Sequence, residues 1–554
     1  MEDIFFNKSK EIANQFIQNI VFIDDKAYTN AEGGGIINKN DFNASEISKI
    51  FSNEGKLCAI YSPEKRLDID KYKDVLQKAD VVVLDWYLDI KDDEEKDPNA
   101  DADTDEPRGE FTLALIESLL DSKMLKLIII YTGETNLFEI TDNIYNRIKN
   151  SDNFEKEECC IYSTTLRILV KAKKQGEGAE AGAEAGAEAE AEAGAEEEEA
   201  EGGKEEVVGA ETQFKYEPEL RKEIVSYDDF PNLIIEEFAK MTNGLLPNFA
   251  LSSISTLRKN TSRIINAFPS NLDSAYLGHK LLIGPSPDSK LLLTRIFGQA
   301  ISELLEIENI NTDNWVENWI DSYLEEKDID LEEGKKLHIS KDILKKMLKS
   351  ESTKFKEKYK AASNADAQIK EELLKEHCTD MFICDGSTAN SVNARFAILT
   401  HHKNIFKPLS GSPVLSLGTI VKQKDTDNYY ICVQQRCDSV RINSKDERKF
   451  LFLPLLEEGA TAPVIISEEK TLFPDISSYS LKTIKFKDPI EGCIKANKGD
   501  DGKKYYFKSI YGDEYEWIVE LKELHAQRII DAYCSKLSRI GLNESEWLRL
   551  QHNK

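Results

Sequence analysis

Residues 79–86, "ADVVVLDW", contain the short and continuously apolar run "VVVL", which the acid Asp85 follows. Runs without polar alternation are typical of central strands in a parallel sheet, because helices cover both faces of such a sheet. Two other runs have the same character, "NIVFIDD" at 19–25 and "KLIIIYTGE" at 126–134. Together these three runs predict the centre of a parallel sheet.

Further strands and helices are predicted on either side of these runs. "KLCAIYS" at 56–62 and "LRILVKAKK" at 166–174 bring the strand candidates to five. Segments with helical spacing lie between the strands: "SEISKIFSN", "DKYKDVLQK", "EFTLALIESLLDSK" and "LFEITDNIYNRIKN". This alternation predicts a doubly wound α/β domain with a five-stranded parallel sheet over residues 1–174.

The rest of the chain has a different character, so a multi-domain protein is predicted. A low-complexity acidic tract of Gly, Ala and Glu at 175–211 is predicted to be a linker. Residues 212–376 are mainly of helical pattern, and 377–515 contain short β-rich runs that suggest a small barrel or sandwich. A helical segment at 516–554 closes the chain.

The formal net charge of -29 is concentrated in two segments. Residues 89–106 carry ten acids and two lysines, and residues 175–206 carry thirteen acids and one lysine. The first segment has too little apolar content to offset its ordering entropy, so it is predicted to be an acidic loop after the third strand. Because nonspecific nucleic-acid binding needs a field of Lys and Arg, the composition does not support a nucleic-acid partner.

Composition also limits the compartment and the cofactors. No apolar run approaches the roughly 18 residues of a membrane span, and the nine cysteines are irregularly spaced, so we expect a cytoplasmic protein without a membrane partner. Cys378, Cys384, Cys432 and Cys437 lack the tight pairing of a structural zinc site, so zinc is not expected. The Gly-rich tract lacks the lysine of a phosphate loop, and we expect neither nucleotide nor haem.

Polar residues end three of the predicted strands: Asp24 and Asp25, Asp85, and Thr132. The carboxyl ends of parallel strands meet at one edge of the sheet, so these residues are expected to lie close together. Acids also suit turns, which accounts for any one of them alone. Three carboxylates are suitable ligands for Mg²⁺, and a main-chain carbonyl such as that of Tyr87 would add another. The pattern therefore predicts a magnesium-dependent phosphoryl-acceptor site.

In the order and strand context of these motifs, residues 1–174 resemble the receiver domain of bacterial response regulators. That family has an acid pair after the first strand, a phosphorylated aspartate after the third, a Thr or Ser after the fourth and a lysine after the fifth. The resemblance implies that Asp85 is the phosphoacceptor, that Thr132 is the switch residue, and that Lys171 in "ILVKA" pairs with the phosphate. It also implies that Asp24 and Asp25, together with Asp85, hold Mg²⁺.

The sequence departs from the family pattern near the lysine. Ala172 follows Lys171 where the family usually has proline, and Leu169 stands where an aromatic residue is frequent. Two further lysines, Lys173 and Lys174, follow closely. These departures keep open a pseudo-receiver, a docking or scaffold protein that does not turn over phosphate.

The resemblance implies a response-regulator-like signalling protein whose receiver controls a C-terminal interaction or effector region. Its implied partner is a histidine kinase or a related ATPase. Apart from phosphorylation and dephosphorylation of the receiver, no enzymatic activity is expected. A second alternative remains open, in which the C-terminal region is an effector enzyme gated by the receiver, for instance in a bacterial defence system.

Overall fold

The structure, a computed structural model, describes most of the chain. The described residues are 3–27, 42–63, 66–88, 109–120, 124–151, 153–174, 221–283, 288–310, 313–331, 336–363, 370–403, 405, 411–459, 461–500 and 502–537. The predicted acidic loop at 89–106, the predicted linker at 175–211 and the last residues of the C-terminal segment lie outside them. No helix in the described ranges is long and apolar enough to cross a membrane.

Helices and strands in the described ranges have these bounds. The α-helices are α1 Ile4–Phe16, α2 Ala44–Asn53, α3 Arg66–Lys78, α4 Glu110–Leu120, α5 Leu137–Ile148, α6 Phe230–Met241, α7 Leu245–Lys259, α8 Thr261–Asn266, α9 Asp273–Ile283, α10 Asp288–Ile307, α11 Asp313–Tyr323, α12 Lys341–Lys349, α13 Phe355–Ser363, α14 Glu371–Glu376, α15 Ala389–His401 and α16 Glu523–Leu537. Short 3-10 helices span Arg221–Glu223, Ser270–Leu272, Asp380–Phe382 and Arg436–Ser439. The strands are β1 Asn19–Ile23, β2 Leu57–Tyr61, β3 Val81–Leu84, β4 Lys126–Thr132, β5 Glu155–Glu157, β6 Cys160–Tyr162, β7 Leu166–Lys173, β8 Ile224–Val225, β9 Lys327–Asp330, β10 Lys336–Ile339, β11 Thr419–Gln423, β12 Tyr429–Cys432, β13 Arg448–Leu456, β14 Val464–Ser467, β15 Lys470–Pro474, β16 Lys482–Phe486, β17 Asn497–Lys498, β18 Tyr505–Lys508 and β19 Glu514–Glu520.

The predicted five-stranded parallel sheet is present in the N-terminal region, in the order β2-β1-β3-β4-β7. Three short strands extend it beyond the prediction. β5 and β6 form a hairpin that adds antiparallel to β7, and β8 pairs parallel with β7 at Ala172 and Lys173. Since β8 comes after the Gly/Ala/Glu tract, the chain returns to the same sheet beyond that tract.

The compact unit that contains this sheet therefore differs from the predicted domain 1–174. It comprises Met1–Lys259 and Glu308–Ser322. Its additional members α6 and α7 pack on α1, and α6 also contacts β4 and β7. The N-terminal domain is thus completed by residues from far along the chain.

Helices cover both faces of the sheet, as the continuously apolar strands predict. On one face, Val82 and Ile128 pack among buried side chains of α3, α4 and α5. On the other face, Phe22 contacts the rings of Phe51 from α2 and Phe230 from α6. The doubly wound α/β architecture predicted from the sequence is confirmed.

Side-chain caps fix the starts of two helices on this second face. The Asp3 carboxylate accepts a hydrogen bond from the Phe6 N–H at the start of α1. Asn43 does the same for the Glu46 N–H at the start of α2. Each cap satisfies a backbone donor that lacks a partner within the helix.

A second unit comprises Asn260–Ile307 and Tyr323–Lys554. It has the predicted helical region followed by the predicted β-rich region. The β-rich region is a nine-stranded antiparallel sheet in the order β14-β15-β13-β12-β11-β19-β18-β17, and the ninth strand, β16, pairs with β13. Alternating residues of its strands, such as Ile420 and Val421, belong to separate apolar clusters. Because side chains alternate across a strand, the sheet has a core on each face.

Candidate functional site

Three predicted acids meet at the carboxyl edge of the parallel sheet. Asp24 and Asp25 follow β1, Asp85 follows β3, and these strands pair in register up to Ile23 and Leu84. The Asp85 N–H donates to the Ile23 carbonyl at 2.9 Å, so the two strand ends are locked at the same level. One carboxylate oxygen from each acid lies within 4.8 Å of the others. The structure therefore brings Asp24, Asp25 and Asp85 together.

A lysine from the fifth parallel strand enters this cluster. The Nζ of Lys173, the last residue of β7, lies 2.7 Å from Asp24 Oδ2 and 3.2 Å from Asp85 Oδ2. The same Nζ lies 5.8 Å from the ring centroid of Tyr131 and 5.7 Å from that of Phe42. The ammonium is thus held between two carboxylates and two aromatic rings, and the side chain is 11% exposed.

Lys171, the lysine predicted from the sequence, lies elsewhere. Its Nζ pairs with Glu223 Oε2 at 2.5 Å. In the register of β4 and β7, Lys171 is opposite Tyr131, whereas Lys173 comes two residues later on the same face of the strand. Two residues of a strand span about 6.6 Å, so only the later lysine reaches the edge. The structure places Lys173, and not the predicted Lys171, beside Asp85.

Thr132 ends β4 and is buried at the same edge of the sheet. Its Oγ1 accepts a hydrogen bond from the Glu134 N–H at 3.2 Å. This bond ties the side chain to the loop that follows β4. A change in the hydrogen bonding of Thr132 would therefore act directly on that loop.

The turn after Asp85 is fixed by contacts that the sequence did not indicate. Asp85 Oδ1 accepts from the Trp86 N–H at 2.8 Å. The hydroxyl of Thr112, in the first turn of α4, donates to the Asp85 carbonyl at 2.8 Å. Gly109 lies against Trp86 with a φ of +85°, and a Cβ there would come within 2.3 Å of the indole ring. A glycine is needed here on both counts.

Burial and neighbouring charges set the ionisation of the cluster. Burial raises the pKa of Asp85 to about 6, with Asp24 and Asp25 adding to the rise and Lys173 opposing it. Burial lowers the pKa of Lys173, but the charges of Asp85 and Asp24 outweigh this and hold the pKa above its ordinary value. Near neutral pH, Lys173 is therefore charged and Asp85 is mostly an anion.

The donor set fits a hard divalent cation. Carboxylate oxygens are the ligands that Mg²⁺ prefers, and three of them at these separations repel one another unless a cation joins them. Within the part of the chain that the structure describes, this is the one group of three or more acidic, His or Cys side chains placed to share an ion. Asp24, Asp25 and Asp85 are thus the residues that would hold the metal.

The parallel α/β sheet agrees with the comparison to known families. Residues 16–178 match the family model of the response receiver domain. The predicted resemblance over about residues 1–174 is confirmed, and the match covers under a third of the chain. No curated protein and no solved structure matches the chain. A receiver domain indicates signalling of the response-regulator type.

The receiver domain is reinforced by residues beyond the matched range. The Tyr131 hydroxyl donates to the Val225 carbonyl of β8 at 3.0 Å. The ring of Phe230, at the start of α6, packs edge-on against Tyr131 at 4.7 Å. Because Tyr131 also lies near the Lys173 ammonium, the segment around β8 and α6 is linked to the acid cluster through Tyr131.

Proposed function

We propose that the receiver domain is a phosphoryl-accepting switch in which Asp85 is the nucleophile, and that it controls the C-terminal region. The observation that carries this proposal is the placement of a buried, mostly ionised Asp85 beside one lysine and two further carboxylates. This arrangement provides a nucleophile and positive charge at one point, with carboxylates to recruit a cation.

We assign the attack to Asp85 Oδ2, because it faces the Lys173 ammonium at 3.2 Å, whereas Oδ1 accepts from the Trp86 N–H. Attack forms a bond from Oδ2 to phosphorus and breaks the bond from phosphorus to the donor, a histidine nitrogen or a small-molecule oxygen. The electron pair of the broken bond stays on the donor atom, and Asp85 becomes an acyl phosphate. The bond to the Trp86 N–H keeps the carboxyl group oriented throughout.

Lys173 has two roles in this account. Before phosphorylation its ammonium partly neutralises Asp24 and Asp85. Afterwards the same ammonium pairs with a phosphoryl oxygen as a point charge, the role that the resemblance assigned to Lys171. When Mg²⁺ is bound by Asp24, Asp25 and Asp85, it neutralises charge on the phosphoryl group. A carbonyl ligand from Tyr87 stays a prediction.

Thr132 would transmit the phosphorylation state of Asp85 to the loop after β4. Its hydroxyl, which now accepts from the Glu134 N–H, would bond a phosphoryl oxygen and so shift the loop after β4 between two arrangements. Tyr131 precedes it in the chain and contacts β8 and α6. These contacts give the signal a route to the residues that lead into the C-terminal region.

The partners follow from the receiver domain. A histidine kinase or a related ATPase would donate the phosphoryl group or dock on the receiver, in the cytoplasm. The output would come from the second unit, Asn260–Ile307 and Tyr323–Lys554, through binding of another protein or an effector activity.

A direct test is intact mass spectrometry of the full-length protein after incubation with Mg²⁺ and a small phosphodonor. Wild type is expected to gain one phosphoryl group, and Asp85→Asn to gain none, because the amide is not a nucleophile. A reaction without Mg²⁺ serves as the metal control. No mass gain in the wild type would overturn phosphotransfer.

The pseudo-receiver is the second candidate, and two observations favour it. Lys173 already pairs with both Asp24 and Asp85, so the pocket has a stable arrangement without phosphate or metal. In addition, Lys174 rather than proline follows Lys173. Partner binding that Asp85→Asn leaves unchanged, together with no mass gain, would support this candidate.

A further inference from the structure

Tyr227 lies close to the acid cluster, although it comes from the segment that follows the Gly/Ala/Glu tract. It is in the turn between β8 and α6, outside the range that matches the receiver family, and it is 8% exposed. The Lys173 ammonium is flanked by the rings of Phe42 and Tyr131. The ring of Tyr227 packs against both, with its centroid 6.1 Å from that of Phe42 and 6.2 Å from that of Tyr131. Tyr227 therefore joins the two rings that flank the lysine.

The hydroxyl of Tyr227 adds a hydrogen bond to this ring packing. It accepts from the Asn43 N–H at 3.0 Å. Asn43 is the cap residue of α2 and directly follows Phe42 in the chain. The bond therefore fixes the backbone next to Phe42, whose ring lies on one side of the ammonium.

The same segment also holds Tyr131, on the other side of the ammonium. Val225, two residues before Tyr227, pairs with Lys173 in the register of β7 and β8. The Val225 carbonyl accepts from the Tyr131 hydroxyl at 3.0 Å. Tyr131 is thus bound to β8 through its hydroxyl and to Tyr227 through its ring. Residues 225–227 therefore contact both rings that flank the ammonium.

The position of the ammonium matters because it serves two carboxylates at once. Its Nζ lies 2.7 Å from Asp24 Oδ2 and 3.2 Å from Asp85 Oδ2. A lysine side chain is long and flexible, so it keeps one position only where the surrounding residues restrict it. A charge acts best on a developing phosphoryl group when packed neighbours hold it in place beforehand. The rings around Lys173 and the residue that joins them provide this support.

Phe238 shows what a purely structural ring of the same segment looks like. It is in α6, is fully buried, and stacks on Phe16 with ring centroids 5.5 Å apart. Phe16 ends α1 just before β1 begins, so this pair lies toward the amino edge of the sheet, away from Lys173. Tyr227 and Phe238 are thus both buried aromatic residues that follow the tract, but they support opposite edges of the sheet.

We propose that Tyr227 is a positioning residue of the phosphoacceptor site, which holds the Lys173 ammonium between its two carboxylates through the flanking rings. The proposal rests on the proposed function, because this ammonium is the one that would pair with the phosphoryl group. It also means that the segment after the tract completes the site, and that residues 1–174 supply only part of it.

Chemical labelling of lysines in the full-length protein tests the proposal without a phosphodonor. The protein is treated with an amine-acylating reagent, and the labelled fraction of each lysine is read by peptide mass spectrometry. Tyr227→Leu is expected to raise labelling of Lys173 by roughly fivefold or more, because the ammonium leaves its partners more often. Phe238→Leu is the matched control, and it is expected to keep Lys173 labelling within about twofold of wild type, since distant sites act independently. The exposed Lys149 is the internal reference for the reagent.

A double-mutant cycle tests whether Tyr227 acts through Lys173. In the wild-type background, Tyr227→Leu is expected to slow phosphoryl incorporation from a small donor by roughly tenfold, because the charge is no longer held in place. In the Lys173→Ala background the same substitution is expected to have no further effect, since residues that act through one group are not additive. Equal slowing in both backgrounds would mean a general loss of structure and would overturn the proposal.

Tyr227→Phe is the conservative variant. It keeps both ring contacts and removes the acceptor of the Asn43 N–H. Labelling of Lys173 is expected to rise by about twofold to threefold, less than in Tyr227→Leu, because one hydrogen bond is lost and the packing remains. If Tyr227→Leu does not fold, this variant decides, and labelling equal to that of wild type would contradict the proposal.

Failure of this proposal and failure of phosphotransfer give different results. If wild type gains no phosphoryl group but Tyr227→Leu raises Lys173 labelling, phosphotransfer is wrong and the positioning of Lys173 is supported. If wild type is phosphorylated but Tyr227→Leu leaves Lys173 labelling unchanged, the positioning role is wrong and phosphotransfer is supported. Equal labelling of Lys173 in Tyr227→Leu and Phe238→Leu would also overturn the positioning role.

Discussion

Each of the two edges of the receiver sheet buries an aspartate near a cationic side chain, but the hydrogen-bond partners of the two aspartates differ. At the amino edge, Asp80 accepts from the N–H groups of Gln18 and Asn19 at 2.9 and 3.1 Å and from both terminal nitrogens of Arg258 at 3.2 and 2.8 Å. At the carboxyl edge, Asp85 accepts from one backbone N–H and from Lys173, beside two other carboxylates.

This difference separates a structural carboxylate from one suited to chemistry. Asp80 accepts four hydrogen bonds, two of them from Arg258, and lies outside the acid cluster, so its charge is balanced and it holds α7 to the sheet. The burial of Asp85 is less well compensated, and its pKa is raised to about 6 as a result. A buried acid with unused acceptor capacity and like-charged neighbours can gain a cation or a phosphoryl group.

The lysines at the two edges show the same contrast. At the amino edge, Lys56 donates to the Asn14 and Ile17 carbonyls at the end of α1, at 2.9 and 3.0 Å. Lys126 donates to the Gln77 carbonyl at the end of α3, at 3.0 Å. Both therefore cap helix ends, whereas Lys173 pairs with the acids Asp24 and Asp85 and lies near the rings of Phe42 and Tyr131.

The largest expected effect is on stability, when each of the two aspartates is replaced in turn by asparagine. Asp80→Asn is expected to destabilise the receiver domain by about 3–5 kcal/mol, because an amide nitrogen then faces donors and Arg258 loses its partner. Asp85→Asn is expected to leave stability unchanged or to increase it, since it removes one charge from a group of carboxylates. Hydrogen exchange of the β1 and β3 amides in the full-length protein measures both.

Equal destabilisation by the two substitutions would contradict this comparison. It would mean that Asp85 is as firmly compensated as Asp80 and that its contacts serve the fold. Asp142→Asn provides a baseline, because Asp142 is an exposed acid of the same domain whose partner is Lys156.

The next effect distinguishes the two lysines of β7. Lys173→Ala is expected to slow phosphorylation by roughly 100-fold, the scale on which loss of one preorganised charge donor acts. Lys171→Ala, which removes the pair with Glu223, is expected to stay within a few-fold of wild type. The rate of phosphoryl incorporation from a small donor, followed by intact mass, measures both. The reverse order would restore the role that the sequence assigned to Lys171.

A smaller effect is expected from the support of the Asp85 turn. Thr112→Val removes the hydroxyl that donates to the Asp85 and Trp86 carbonyls at 2.8 and 3.2 Å. The buried carbonyls then lose a donor, which is expected to cost about 1–3 kcal/mol. Unfolding monitored by hydrogen exchange of α4 measures this cost. Thr112→Ser, which keeps the hydroxyl, is the matched control and is expected to retain most of the stability.

The sequence predicted the strands and the acids of the site because each has a local signal. "VVVL" and "IIIY" are continuously apolar, and the residues that end such runs lie at one edge of a parallel sheet. Asp24, Asp25, Asp85 and Thr132 were therefore predicted from position alone to lie at this edge, and the structure places them there.

The remaining features depend on contacts that are distant in sequence. "LRILVKAKK" places Lys171 and Lys173 on the same face, and only the register with β4 determines which one reaches the edge. The Asp80–Arg258 pair and the return of β8 to β7 join residues on both sides of the Gly/Ala/Glu tract. No local pattern reports such contacts.

The most direct measurement locates the phosphoryl group in the full-length protein. After reaction with a small donor and Mg²⁺, hydride reduction of the acyl phosphate and peptide sequencing identify the modified residue. The account predicts modification at Asp85 alone, with Asp80, Asp24 and Asp25 unmodified. Modification at any of those three acids, or at none of the four, would contradict it.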